Sequence, residues 1–343
     1  MMGAEAPMLE LPDIEKITLE LVAQIPKGRV ATFREIAIAL GDPIAARAVG
    51  SILAQHKHDC PSYRVISFDG TVTEEQAKLL HAEGIPIKAG RVLLLNKFLF
   101  REFRSERPLQ KLQQIQNDIR ARMRLAPDRT EYRTVGGVDL SYAGAQGVAA
   151  YVRLELDSLK LLDAQTLAQE VRFPYIPSYL AFREIPVMLA LLQRLKDQNA
   201  LADMTFVDGT GTLHHRQAGI ASQLGVMLDI PTIGITKALL HGEPERDLKT
   251  VAPGEICYIR IAGERAGAAI RPTEDAEPFF ISPGHRVDLE TAIELTRRAL
   301  RSGTALPEPI QLAHNTSRHA AQALKHHSAQ EHKAFQLGLF DNL

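Results

Sequence analysis

The sequence predicts an α/β protein: a mixed sheet with flanking helices, preceded by a small helical domain that holds a helix-turn-helix. Three observations predict it. Two apolar runs end in an acid, Thr134-Val135-Gly136-Gly137-Val138-Asp139 and Met204-Thr205-Phe206-Val207-Asp208. Strand-like stretches at 148–156 and 159–164 follow the first run, and those at 205–207 and 232–235 alternate with helical patterns, as in a mixed sheet. Near the N-terminus, two short amphipathic stretches meet at Gly41-Asp42-Pro43, the tight turn of a helix-turn-helix.

Taken in order, residues 13–24 place Ile14, Ile17, Leu21 and Val22 at helical spacing. Ile25-Pro26-Lys27-Gly28 breaks that helix. Thr32, with Glu35 three residues on, caps a second helix carrying Phe33, Ile36, Ala37 and Leu40. A third spans 44–55 and opens on small residues around Arg47, which permit close approach to a groove; together these give a winged-helix-like module. The charged, irregular stretch 97–107 predicts a domain boundary, with 101–108 as linker. A long amphipathic helix at 109–125 follows, stopped by Pro127-Asp128. We therefore expect domains at 1–100 and 109–315, then a polar tail at 316–343 that includes His326, His327 and His332.

The chain of 343 residues is long enough for two domains at roughly 100–200 residues each. Its composition, 45% hydrophobic and 24% charged, is that of a globular protein. A net charge of −1 excludes a global basic field, yet residues 27–64 hold six Lys/Arg against three Asp/Glu, and residues 107–133 seven against three. Such local excess suffices to contact phosphates. Two cysteines, Cys60 and Cys257, exclude a disulfide scaffold and a four-cysteine zinc site. His214-His215 and His285 lack partners at zinc-site spacing. With no signal pattern and no apolar run of the ~18 residues that span a bilayer, we expect a cytosolic protein without membrane contact.

The acids carry the chemistry. Buried strands tolerate a carboxylate only when its charge is compensated. A divalent cation compensates well, and hard oxygen ligands suit magnesium. Carboxylates distant in sequence that meet at strand ends are how a phosphodiester-cleaving metal site is built. Asp139 on the first strand and Asp208 on the fourth would sit side by side, as in a ribonuclease-H-like sheet, with Glu184 between them in sequence.

Several motifs extend these readings to known families. Residues 25–37, Ala46-Arg47-Ala48-Val49-Gly50, Tyr63-Arg64-Val65-Ile66 and residues 79–85 resemble the C-terminal domain of O6-alkylguanine-DNA alkyltransferases. That family's Pro-Cys-His-Arg-Val supplies a thiolate acceptor; here it reads Pro61-Ser62-Tyr63-Arg64-Val65, and a serine hydroxyl has no anionic form near neutral pH. The family's tyrosine on the second helix is Phe33. The resemblance implies a domain that binds alkylated or otherwise damaged DNA without alkyl transfer, with Arg47 filling the stack behind an extruded nucleotide and Phe33, Ser62, Tyr63 and Arg64 around the lesion. Cys60, two residues early, is the alternative nucleophile.

From residue 109 to 315, Val135-Gly136-Gly137-Val138-Asp139, the run 174–184, Val207-Asp208-Gly209-Thr210-Gly211, the run 214–222, the run 231–237, Ser282-Pro283-Gly284-His285-Arg286 and residues 306–310 resemble endonuclease V in order and spacing. The resemblance implies cleavage of the second phosphodiester bond 3′ to a deaminated base, chiefly hypoxanthine, with Mg2+, or Mn2+ in its place. It implies Asp139, Asp208 and Glu184 as the acidic metal set, Lys237 against the scissile phosphate, and His314 orienting or deprotonating the attacking water. Pro174-Tyr175-Ile176-Pro177 would wedge into the base stack, two prolines stiffening an aromatic. Leu180, Gly209, Gly219, Ile220, Thr236 and Ser282 correspond to the base pocket, and Ser178 stands where a glycine is usual. The expected partner is damaged DNA, duplex or single-stranded, met by a monomer. Two alternatives stay open: a ribonuclease for inosine-containing RNA, and a non-cleaving lesion binder that recruits other proteins.

Overall fold

The computed structural model describes residues 10–340, with side chains through His326. Two compact units cluster, Glu10–Ile115 with Arg172–Arg183, and Gln116–Val171 with Glu184 onward.

The first unit opens with α1 (Ile14–Ala23), capped by the Asp13 carboxylate. A two-residue strand β1 (Ala31–Thr32) leads into α2 (Phe33–Leu40), where the Thr32 hydroxyl accepts the Glu35 N–H. Gly41 ends the helix at φ 110°, and Asp42 caps a 3-10 turn, Pro43–Ala45, before α3 (Ala46–Gln55). The turn delays the third helix past the predicted residue 44, because Pro43 presets φ and the Asp42 side chain takes the Ile44 N–H. A 3-10 turn Ser62–Arg64, β2 (Val65–Ile66, parallel to β1), α4 (Glu74–Ala82), the β3 (Ile87–Lys88) and β4 (Arg91–Val92) hairpin, and α5 (Leu95–Phe98) complete the module. Val30, Ile66, Leu80 and Ile85 form its core. The long helix α6 (Pro108–Arg122) follows.

In the second unit, β5 (Thr134–Ala143), β6 (Gln146–Glu155) and β7 (Leu161–Glu170) form an antiparallel meander. After α7 (Leu180–Asp197), β8 (Met204–Asp208) inserts parallel to β5, and after α8 (Ile220–Leu228), β9 (Thr232–Thr236) lies parallel to β8. Then come β10 (Glu243–Pro244), β11 (Ile256–Ile261), β12 (Glu264–Ile270) and β13 (Phe279–His285), all antiparallel, so that the described sheet runs β10-β11-β12-β13-β9-β8-β5-β6-β7. The last four strands escape the sequence pattern: Ala266-Gly267-Ala268-Ala269 in β12 has little intrinsic strand preference, and pairing with β11 and β13 decides it. Helices α9 (Leu289–Arg298) and α10 (Glu308–Phe340) follow. Val135, Val152, Phe206, Ile233 and Ile281 of the sheet and Ile293, Ile310 and Ala313 of these helices form one core. Helix α10 carries the predicted tail as helix to Phe340; side chains past His326 and residues 1–9 lie outside the described residues. Among the described residues no helix is long and apolar enough to cross a membrane.

Candidate functional site

The two acid-ending strands are neighbours. The parallel β5–β8 register sets Val138 against Val207, so Asp139 and Asp208 leave adjacent strands at the same level. Residues 137, 139 and 141 share one face of β5 by the strand's period of two, and α10 covers it. Contact is that close only because residue 137 is glycine: a Cβ there would lie 2.0 Å from the Pro309 carbonyl oxygen. The docking delivers two α10 side chains, three residues apart, to one carboxylate. Ser317 Oγ donates to Asp139 Oδ2 at 2.9 Å, and His314 Nδ1 lies 3.0 Å from the same oxygen. Ser141 Oγ lies 2.8 Å from Ser317 Oγ. Ser317 is fully buried, and the sequence reading missed it; its one signal is sharing a helical face with His314.

Donor atoms of Asp139, Asp208 and His314 all lie within 4.8 Å of one another. Burial, then the charge of Asp139 and a hydrogen bond to it, push the Asp208 carboxyl up to about 7, with the Lys237 ammonium acting the other way. Asp208 therefore tends to keep a proton near neutral pH, which a divalent cation would replace. Two carboxylates and an imidazole are suitable ligands for such a cation. Glu184, expected as the third acid, stands outside this donor set, and its Oε1 accepts from the Tyr142 hydroxyl at 3.1 Å.

The expected base-pocket residues of this unit lie where the turn after β8 folds back over β9 and β13. Gly209 N–H donates to the Ile235 carbonyl and Gly219 N–H to the Gly211 carbonyl. Gly219 opens α8, where a Cβ would sit 2.1 Å from the Thr210 carbonyl oxygen, and Ile220 is the first residue of that helix. Ser282, wholly buried on β13, accepts the Gly211 N–H at 2.8 Å. The Thr236 hydroxyl donates to the Ala238 carbonyl. Leu180, the sixth expected pocket residue, belongs to the other compact unit.

That unit also carries the expected wedge. Within Pro174-Tyr175-Ile176-Pro177, Tyr175 is 59% exposed while Ile176 is wholly buried. Of the four, the Tyr175 ring is thus the large apolar group left exposed, and Ile176 is packed in the core. Ser178 has φ 64°, which explains why glycine is usual at this position.

In the alkyltransferase-like module, Glu83 organises the site. Its Oε1 accepts from the Tyr63 hydroxyl at 2.7 Å and from Arg64 at 2.6 Å, and its Oε2 accepts the Gly28 N–H at 3.0 Å. Burial opposes its charge, but these bonds and the Arg64 cation outweigh it and hold the carboxyl at about 2. A cavity of about 710 Å³ is lined by Phe33, Cys60, Ser62, Tyr63 and Leu79. Burial, then the charge of Asp59, push the Cys60 thiol up, despite a hydrogen bond from the Ser62 N–H. The Ser62 hydroxyl donates to the Lys57 carbonyl at 3.0 Å. Arg47 is exposed on α3 and lines a second groove with Phe33 and Phe68.

Comparison with known proteins finds two families along the chain. The family model described as endonuclease V matches residues 117–315, and that described as 6-O-methylguanine DNA methyltransferase, DNA binding domain, matches residues 13–86. A bifunctional methyltransferase/endonuclease of Thermoplasma volcanium is 34% identical over 89% of this chain and 90% of its own. The crystal structure of the catalytic domain of human endonuclease V aligns at 29% identity with a TM-score of 0.59, covering 64% of this chain and 99% of that one. Endonuclease V of Ciona intestinalis, solved with a 23mer DNA containing an inosine followed by a ribo-adenosine, aligns at 28% identity with a TM-score of 0.56, over 64% of this chain and all of that one.

Proposed function

The chain belongs to the endonuclease V family, a DNA endonuclease with an alkyltransferase-like DNA-binding domain ahead of it, and from that premise we propose that it nicks DNA at the second phosphodiester bond 3′ to a deaminated base, chiefly hypoxanthine, by Mg2+-assisted hydrolysis. The observation that carries the reading is the Asp139–Asp208 pair, a buried and a half-buried acid on adjacent strands with His314 beside them. A divalent cation held by the Asp139 and Asp208 carboxylates would supply Lewis acidity for attack at phosphorus. Mg2+ suits the oxygen donors of the two carboxylates, and Mn2+ can take its place.

The chain's own groups supply the rest. Ser317 fixes Asp139 Oδ2. With His314 Nδ1 donating to the same oxygen, Nε2 is left as an acceptor able to take a proton from the attacking water. Lys237, exposed just after β9, offsets charge developing on the phosphate. Tyr175 fills the gap left by the extruded base, a step costing a few kcal/mol and less at an inosine mismatch.

The first domain binds a damaged base in the Phe33–Cys60–Tyr63 cavity and does not accept an alkyl group. The raised Cys60 thiol and the Ser62 hydroxyl bound to Lys57 support this, since neither offers an anionic nucleophile. A mass gain on Cys60 after incubation with O6-methylguanine DNA would overturn it.

The test of the nuclease assignment is cleavage of a duplex carrying one inosine, with Mg2+, Mn2+ or chelator, beside a matched inosine RNA. A metal-dependent nick one nucleotide beyond the inosine on its 3′ side supports the proposal. RNA cleaved in preference to DNA, or tight binding without any nick, would replace it by the ribonuclease or the recruiting reading.

A further inference from the structure

The Tyr175 wedge segment clusters with the alkyltransferase-like module although it falls inside the stretch matched to endonuclease V. Tyr179, four residues on, is wholly buried, and its hydroxyl donates to Asp42 Oδ2 at 2.7 Å. Gln113 Nε2 bridges the two, donating to Asp42 Oδ2 at 2.9 Å and lying 2.6 Å from the Tyr179 oxygen. The other Asp42 oxygen accepts the Ile44 N–H at 3.1 Å and so caps the turn between the two helices of the helix-turn-helix. One carboxylate therefore ties the turn that presents the Arg47 helix to the segment that presents Tyr175. The connection is short and stiff: Pro177 lies between Tyr175 and Tyr179, Ile176 is buried, and the Tyr179 N–H donates to the Ile176 carbonyl at 3.0 Å. Asp42 lies outside the matched endonuclease V stretch and inside the matched DNA-binding domain.

We propose that Asp42, through the buried Tyr179 hydroxyl, is a positioning residue for the Tyr175 wedge, so that the alkyltransferase-like domain sets how well the nuclease opens duplex DNA. This rests on the reading of Tyr175 as wedge and of inosine DNA as substrate. A single-stranded inosine is already unstacked, so its cleavage needs no wedge; the connection acts on duplex alone.

The experiment compares kcat/KM on duplex and single-stranded inosine DNA for the full chain and for Tyr175→Ala, Tyr179→Phe and Asp42→Asn, with fluorescence of a 2-aminopurine beside the inosine reporting unstacking. Tyr179→Phe removes one hydroxyl at constant shape. Asp42→Asn keeps an oxygen for the Ile44 N–H and reads the same contact from the other side. A lost hydrogen bond to a charged group predicts a fall of about tenfold on duplex, with single-strand cleavage within about twofold and 2-aminopurine fluorescence reduced. An equal fall on both substrates marks a merely structural role and overturns the proposal, as does an unchanged duplex rate where Tyr175→Ala lowers it. If Tyr175→Ala leaves the duplex-to-single-strand ratio unchanged, the wedge reading fails first, and this inference with it.

Discussion

Replacing Asp208 by asparagine keeps the shape of the side chain and removes the charge that the site opposes most. The Asp208 carboxyl ordinarily titrates near 3.8 and is pushed up to about 7, by burial first and by Asp139 second. The sign follows from proton counts. Between these two values the native state holds a proton that the unfolded chain has released, so native stability falls as pH rises from about 4 to about 7. At about 1.4 kcal/mol per pH unit the rise comes to roughly 4 kcal/mol. Asp208→Asn is therefore expected to be the more stable protein at pH 8 in chelator, by roughly 2–4 kcal/mol, with the difference vanishing near pH 4. Urea denaturation at the two pH values, followed by a probe in the nuclease unit, measures it. Addition of Mg2+ stabilises the parent by mass action and leaves the variant unmoved, and nicking is lost in the variant. A variant no more stable than the parent at pH 8, or a difference that does not change with pH, would refute the argument that the two acids strain the cation-free site.

Three further outcomes follow from named contacts. Ser317→Ala removes the hydroxyl that fixes Asp139 and should lower the nicking rate about tenfold with little loss of thermal stability; an unchanged rate would free Asp139 from that support. Gly137→Ala sets a methyl group against the Pro309 carbonyl and should cost about 1–3 kcal/mol while moving His314 and Ser317 off Asp139, read as a lower Tm together with a lost metal-induced Tm shift. For Glu83, held at about 2 against an ordinary 4.5, the stabilisation is full above pH 4.5 and is lost as pH falls toward 2, amounting to about 3 kcal/mol. Glu83→Gln should thus destabilise the first domain at pH 7 and abolish that acid-side slope, as followed by denaturation between pH 2 and 7.

How much of this was legible beforehand depends on the range of each interaction. Asp139 and Asp208 stand out because each terminates an apolar run, and strand order alone makes them neighbours. The cap at Thr32, the turn at Gly41-Asp42 and the departure from Pro-Cys-His-Arg-Val at Ser62 are equally local, since a few consecutive residues decide them. Other features depend on which distant surface arrives. Only its place on the His314 face of a helix hints at Ser317; Gly137 admits α10, and the docked helix lays that hydroxyl against the carboxylate. Glu184 reads as a third acid in sequence, and only folding brings the Tyr142 hydroxyl to it. Ile176 looks like part of an exposed wedge until packing buries it beside an exposed Tyr175. The β11–β12 hairpin has too little intrinsic strand preference to show, and its neighbours impose it. Sequence alone determined the two families, their order and the acids, because apolar periodicity, turn chemistry and motif spacing are written along the chain. Tertiary structure decided that a carboxylate in the helix-turn-helix holds the segment carrying Tyr175, because a hydrogen bond between residues 42 and 179 has no signature along the chain.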